Sequence, residues 1–451
     1  VYDAVSVEER HKPTVSLVNE GFANDAESAS RGMAMPVLRC VPTKVPCESS
    51  IMADIEAGVD GAMEAIIAAL LKPLTPEEKS PKPRVAEKPP RIIFKGTLEE
   101  VNRFFYQRGW TDGLPVIPPT EDAVAAMLTG TDLPPDHLLG RLQSRNGKAT
   151  IEKIAVNAVM AGCLPTYLPV LIAGTINLLE SEPGFLGYTT FGFSTGSWAP
   201  FWIINGPIRN EINVNSGSGA FSPGNIANAA IGRAMGLIIK NIGGVRKGIE
   251  DMGVMGNPLK YTAVIAENEE QSPWEPLHVE YGYKKEDSTV TLSFPHIYNQ
   301  HWPYGSDADS ILRSVADNIP RGMRYTLVFN PPHARNLFRE GYDKEKIKKY
   351  IVEHKLVQAA RMKAAANTGL NIRAREALDS LPENDAEMVP LIKDPRFVRI
   401  IVGGGPGAFI AHLVGGGATP GMKQTQKIEF PKNWAKLVAR YKNVVPTYAK
   451  Y

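Results

Sequence analysis

The sequence predicts an α/β protein: a small N-terminal parallel α/β unit, then a larger α/β domain onto which a C-terminal glycine-rich segment packs back. Three observations carry this reading. Short β-branched and aromatic runs, at residues 201–205, 261–266 and 325–330, alternate with longer stretches of helical periodicity. Each run breaks into a polar or glycine-proline turn, the place where parallel sheets present ligand-binding loops. Finally, 451 residues exceed what one ordinary core accommodates.

Residues 14–18 read as a strand, 24–32 as a helix and 36–41 as a second strand. A helix over 49–71 comes next, with Ile51, Ile55, Val59, Met63, Ile66, Ile67 and Leu70 at its apolar positions. The chain opens in mid-helix at Val1-Tyr2-Asp3 without an initiator Met, so this unit (residues 1–71) is expected to lack its start and one strand. Residues 72–94 form a linker, because a proline-rich, charged stretch cannot build a core. The larger domain spans 95–384. It starts with a capping box, Thr97 with Glu100, ahead of a helix carrying Leu98, Val101, Phe104 and Phe105. Residues 150–161 are predicted as a helix, and Ser272-Pro273-Trp274-Glu275 as another helix start. Residues 385–451 bring a last strand, 397–402, and two glycine clusters. No fixed-period repeat is visible.

Composition excludes several functions. Lys+Arg of 50 against Asp+Glu of 48 gives no bulk field for nucleic acid or anionic membrane. The basic run Lys344-Glu345-Lys346-Ile347-Lys348-Lys349 is expected as an exposed helix face. The longest apolar run, 168–179, is too short to span a bilayer. Three cysteines (Cys40, Cys47, Cys163) without C-x-x-C make no disulfide framework and fit a reducing cytoplasm.

Chemistry is expected at strand exits. Glu267-Asn268-Glu269-Glu270 crowds three carboxylates at one of them, with His278 nearby. Mutual repulsion would raise a carboxyl pKa for acid-base work, or the group would hold a divalent metal; in the plainer reading one carboxylate supports a helix start and the others face water. Asn215-Ser216-Gly217-Ser218-Gly219, entering a helix through Ser222-Pro223, offers an anion site together with Asn205 and Arg209, or else a plain glycine turn. Trp110-Thr111-Asp112-Gly113 is a rigid connector or a ligand loop. Gly403-Gly404-Gly405-Pro406-Gly407-Ala408 matches G-x-G-x-x-A, with Glu429 downstream, but residues 409–413 before Gly415 are too few for a crossover helix. Close packing against another part of the chain, or an anion nest, suits it better. Cys163, after a helix end, reads as a packing cysteine, whereas Cys47 near a helix start is placed to have a lowered pKa. His296 and His301 show no metal-ligand spacing.

The stretches PTVSLVNEGF, GWTDGLPVIPPT, ATIEKIAVNAVMAGCLPTYLPV, WIINGPIRN, NSGSGAFSPGNIANAAIGRA, YTAVIAENEEQSPWEPLHVE and DSTVTLSF run across nearly the whole chain. Through them the sequence resembles the UGSC-type (seleno)protein family. The resemblance implies a thiol- or selenol-dependent redox protein, with a selenocysteine-or-cysteine, Gly, Ser, Cys motif lying upstream of Val1. Many members carry a His-bearing segment where this chain reads Val45-Pro46-Cys47-Glu48, which implies a resolving or metal-binding thiol at Cys47.

The expected function is a thiol- or selenol-dependent reductase acting on a small anionic or acyl substrate, with the upstream thiol or selenol motif as its redox group and a divalent metal as the alternative cofactor. Expected partners are a thiol reductant or redox partner protein and further copies of the chain. Cys47, Glu267 and Glu269 are the catalytic candidates. Trp110, Asp112, Asn205, Arg209, Asn215, Ser216, Gly217, Asn268, His278, Gly404 and Gly405 are the binding candidates. The rivals are a lyase or hydrolase using Glu267 and Glu269, with or without a divalent metal, and a non-catalytic substrate-binding subunit of a redox complex.

Overall fold

Side-chain caps fix where several of the helices in the larger domain begin. Thr97 and Glu100 form the expected capping box, and Thr120, Thr150, Asp307, Asn330 and Asp343 each accept a backbone N–H three residues on. The computed structural model describes residues 1–35, 37–46, 50–79, 90–180, 194–322, 324–367, 380–416 and 424–446. It is a mixed α/β structure, and among the described residues no helix is long and apolar enough to cross a membrane.

The N-terminal unit comprises α1 (Tyr2–Glu8), β1 (Ser16–Asn19), α2 (Ala23–Gly32), β2 (Cys40–Thr43) and α3 (Met52–Leu71). β1 and β2 pair in parallel, as expected for this unit, with Ser16 opposite Cys40. The second strand lies later than the predicted 36–41: Leu38 N–H bonds Met35 O, and the strand begins at Cys40. α3 lies against the exit of β2, where a Cβ on Gly58 would stand 2.6 Å from Val45. Met63, Ile67 and Leu70 point away and are exposed. Cys47 and residues 80–89 of the linker lie outside the described residues. The start of the linker is tied back by Arg39, which pairs with Glu78 at 3.0 Å and donates to the carbonyls of Ala69 and Lys72.

The larger body begins with α4 (Leu98–Gln107), α5 (Glu121–Leu128), the hairpin β3 (Leu138–Leu142) and β4 (Gly147–Thr150), α6 (Ile151–Ala161) and α7 (Leu168–Glu180). Then come β5 (Phe201–Asn205), α8 (Ile226–Asn241), β6 (Val264–Ala266) and the long β7 (Thr289–His301). The second series is α9 (Ala308–Asn318), β8 (Arg324–Phe329), α10 (Pro331–Arg339), α11 (Lys344–His354), the small pair β9 (Leu356–Gln358) and β10 (Met388–Pro390), β11 (Val398–Val402) and β12 (Ile410–Gly416). β13 (Thr425–Lys427) and α12 (Trp434–Tyr441) close the chain. The C-terminal segment does pack back, and it supplies three strands of the main sheet.

That sheet runs β6-β5-β7-β12-β8-β11, with β13 on β7. The order reads alike from either edge. β5 and β6 are parallel with β7 antiparallel to β5; β8 and β11 are parallel with β12 antiparallel to β8. β7 and β12 join the halves. Registers repeat too: Glu267 N–H bonds Ile204 O at 3.1 Å, and Gly403 N–H bonds Phe329 O at 2.9 Å. Asn205 and Asn330 therefore occupy equivalent strand ends. Unequal insertions hide this duplication from a search for a fixed period.

One face of the β5/β6 half, with Trp202, Ile204 and Val264, packs on α6, α7 and α8. The matching face of the other half, with Leu327, Phe329 and Ile400, packs on α9, α10 and α11. The opposite faces coil onto one another, so Phe201, Ile203, Ile265, Val328, Ile401 and Leu413 share a third core. Asn268 N–H reaches Val402 O at 2.8 Å, which brings the exits of β6 and β11 together.

Two predicted starts are shifted. Residues 258–260 form a 3-10 turn capped by Asn257, so β6 is shorter than 261–266. Ser272 opens no α-helix: its Oγ accepts from Trp274 N–H in a local turn, and Pro276 lacks the N–H that a helix begun there needs. Only the turn Leu277–Glu280 forms after it.

The N-terminal unit docks through α2. Ser28 Oγ donates to Glu250 Oε1 at 2.5 Å, Asn146 Nδ2 donates to Gly32 O at 3.0 Å, and Arg246 clasps Glu250 through Nη2 at 2.6 Å. Asp25 stands beside this carboxylate with a buried Oδ1 that has no hydrogen bond among the described residues. Burial, then the Glu250 charge, push its pKa up from 3.8 to about 7. The unfolded chain releases this proton near 3.8 and the folded chain near 7, so stability is full below the lower value and falls as pH rises through the higher one. Thermal unfolding of Asp25→Asn is expected to lose that slope; a slope equal to wild type would contradict the assignment.

Candidate functional site

Asn205, the last residue of β5, is fully buried. Its Nδ2 donates to Glu267 Oε2 at 2.6 Å and to Glu269 Oε1 at 3.0 Å. Glu267 is also fully buried, and its Oε2 accepts from Leu277 N–H at 2.8 Å. Gly206 N–H donates to Glu269 Oε1 at 2.7 Å. Arg209, on the turn Ile208–Glu211, donates through Nη1 to Glu267 O at 2.8 Å and through Nη2 to Glu270 Oε1 at 3.0 Å, while its Nε stands 3.0 Å from Glu269 Oε1. Lys344 Nζ lies 3.8 Å from Glu267 Oε1 and 3.2 Å from Glu280. His278 is buried, its Nδ1 3.9 Å from Glu269.

This arrangement changes the expectation for the acidic exit. The three carboxylates are separated by cations and amides rather than pressed together. Burial opposes ionisation of Glu270, but hydrogen bonds from Arg209 and Asn210 prevail and hold its pKa down to about 2. Amide, backbone and guanidinium donors occupy Glu267 Oε2, Glu269 Oε1 and both Glu270 oxygens, and among the described residues no three acidic, histidine or cysteine side chains are grouped to hold a metal. Three buried atoms, Asn205 Oδ1, Glu267 Oε1 and His278 Nδ1, make no hydrogen bond among the described residues.

The second part of the site is the loop after β5. Asn215 Oδ1 accepts from Gly217 N–H at 2.8 Å and its Nδ2 donates to Ser218 O at 3.0 Å, closing the loop on itself. Asn228 clamps it from α8, accepting from Asn215 N–H at 2.8 Å. The predicted Ser222 cap is replaced by Asn225, because Gly224 at φ +129° cannot belong to a helix. The third part is the glycine loop after β11. Gly404 N–H donates to Ser216 O at 2.8 Å, and a Cβ on Gly405 would stand 1.7 Å from Ser218 Oγ. Asn330 Nδ2 holds the far side of this loop through Gly407 O and Phe409 O, both at 3.0 Å. The loop leads into strand β12, so the G-x-G-x-x-A match has no helix N-terminus for a dinucleotide phosphate.

Comparison with family models, with curated proteins and with solved structures finds no match for this chain.

The structure thus brings Asn205, Arg209, Glu267, Asn268, Glu269 and His278 into one cluster at a strand exit, and seats Asn215, Ser216 and Gly217 against Gly404 and Gly405 beside it. The joining bond is Asn268 N–H to Val402 O. Trp110 and Asp112 are elsewhere. Trp110 packs edge-on against Phe104 and Phe105, and Asp112 forms a two-pronged pair with Arg233 at 2.8 and 2.9 Å, two turns along α8 from its cap. Their loop is a clamp. Lys344 and Lys348, expected on an exposed face, are buried against Glu280. Lys344, Asn228 and Asn330 were not expected from the sequence. Only Asn330 leaves a signal there: Asn330-Pro331-Pro332 after β8 parallels Asn205-Gly206-Pro207 after β5.

Of the described cysteines, Cys163 is buried with Sγ 3.3 Å from Ala230 O, and burial pushes its pKa far up. Cys40 is exposed at the head of β2, with a pKa that burial of its surroundings also raises. In the folded protein a thiol reagent such as Ellman's is expected to modify Cys40 and spare Cys163 until denaturant is added; immediate modification of Cys163 in a Cys40→Ser, Cys47→Ser variant would refute this placement.

Proposed function

We propose that the chain is the substrate-binding part of a thiol- or selenol-dependent oxidoreductase acting on a small anionic or acyl substrate. The observation that carries the binding role is the meeting of the two strand-exit loops at Gly404 N–H and Ser216 O. The backbone N–H groups of Ser218, Gly219, Gly405, Gly407 and Ala408 have no acceptor among the described residues, which suits an anion nest. The redox role rests on the resemblance to the UGSC-type family. A thiolate or selenolate displaces a leaving group from the activated carbon of the substrate. A second thiol then attacks the sulfur or selenium of that adduct, forming the S–S or Se–S bond while the substrate carbon leaves with the bonding pair and takes up a proton. A dithiol reductant cleaves the S–S or Se–S bond to restore both groups.

In this reading the thiol reaches the substrate from outside the described residues. α8 is about 24 Å long at 1.5 Å per residue. Its capped end meets the Asn215 loop, and its other end leads to the Arg246–Glu250 turn where the N-terminal unit docks. A second copy or a redox partner protein in a reducing cytoplasm would supply the nucleophile. Lyase or hydrolase chemistry at Glu267 and Glu269 is less favoured, because Asn205, Gly206 and Arg209 already engage both side chains.

Isothermal titration with acetate and with inorganic phosphate tests the binding role: saturable heat is expected from wild type and a weaker response from Gly405→Ala. Silence toward both anions would remove the site. The redox role is tested by turnover with a dithiol reductant, which alkylation with iodoacetamide is expected to abolish. Turnover that survives complete alkylation would defeat it.

A further inference from the structure

Beside the two loops, Tyr298, Gln300, Trp302 and Phe409 are exposed among the described residues. Tyr298, Gln300 and Trp302 alternate on β7 and its end and so share one face. Across from them on β12, Leu413 pairs with Tyr298 and Ala411 with Gln300. Trp302 is 69% exposed and Phe409 54% exposed, yet their rings lie only 5.6 Å apart. Phe221 sits 5.3 Å from Tyr298 and packs, with Ala411, against the inner core. Gln300 Nε2 donates to Tyr298 Oη at 2.6 Å, which leaves polar edges along an otherwise aromatic shelf.

The placement of the aromatics decides the reading. Phe221 closes the Asn215–Ala220 loop and Phe409 closes the Gly403–Ala408 loop, so each unbonded N–H cluster runs directly into a ring of the shelf. Resting on the anion-binding reading above, we infer that the ligand couples an anionic group to a flat ring: the group lies in the loop nest, and the ring stacks on Trp302 and Phe409 with Tyr298 and Gln300 along its edge. A ligand without a ring would leave two large aromatic faces in water.

Isothermal titration with phenyl phosphate and benzoate, against inorganic phosphate and acetate, tests this on the intact chain, with quenching of indole fluorescence as a second readout. The ring-bearing anions are expected to bind about tenfold tighter, the advantage one stacking contact supplies, and to quench Trp302. That advantage is expected to shrink below about twofold in Trp302→Ala/Phe409→Ala, as loss of stacking requires. Equal affinity for ringed and ringless anions would overturn the shelf while leaving the anion nest standing; silence toward all four would overturn both. Loss of self-association in the double variant, with the ring advantage retained, would make the shelf a contact between copies and equally defeat the inference.

Discussion

Arg209→Ala is expected to lose about 3–5 kcal/mol of stability, the cost of removing one partner from a buried ion pair. The guanidinium is almost wholly buried and serves Glu269, Glu270, Gly206 O and Glu267 O together. Truncation leaves Glu269 without its cation in a site where Asn205 and Gly206 still draw it inward. Arg209→Lys is expected to recover only part of the loss, since an ammonium cannot reproduce the fork onto Glu270 while also reaching Glu267 O. Chemical denaturation of the three proteins measures this. A change for Arg209→Ala below about 1 kcal/mol, the range of surface pairs, would show that the cluster is solvated.

The second large effect is expected at Gly206. Its φ of +84° lies in the left-handed region, and a Cβ there would stand 2.1 Å from Asp287 O, a backbone atom that cannot swing aside. Backbone strain of about 1–2 kcal/mol adds to overpacking of similar size, so Gly206→Ala is expected to cost about 3 kcal/mol. The change would also displace the N–H that binds Glu269, so anion binding should weaken along with stability. A normal unfolding midpoint for Gly206→Ala would mean that the start of β7 yields easily.

The elements legible in the sequence were those with a local cause. The Thr97 box, the helix ending at Ala161, the strand Phe201–Asn205 and the break at Gly403 each depend on residues within a few positions. Asn205 and Arg209 read in the sequence as part of the Asn215 anion loop; that they instead engage Glu267, Glu269 and Glu270 follows from the parallel pairing of β5 with β6, which no local pattern shows. The features that escaped depend on distant chain. No local pattern shows that Lys344 turns inward to Glu280, or that Asp112 is claimed by Arg233. A basic run and an acidic turn look solvated until a partner arrives from elsewhere in the chain. Cys47 lies outside the described residues.

The palindromic sheet also constrains how the protein can be made. β7 waits for β12 and β13, and β8 waits for β11 and β12, all of which are translated after both of them. A nascent chain that has emerged only through α11 therefore exposes unpaired edges on both β7 and β8, strands otherwise buried in the two outer cores. The main sheet must close after synthesis of these 451 residues is nearly complete, through pairings of high sequence separation that fold slowly. For this chain the strands from β11 onward are a folding requirement, and chaperone dependence should concentrate in the interval before they appear.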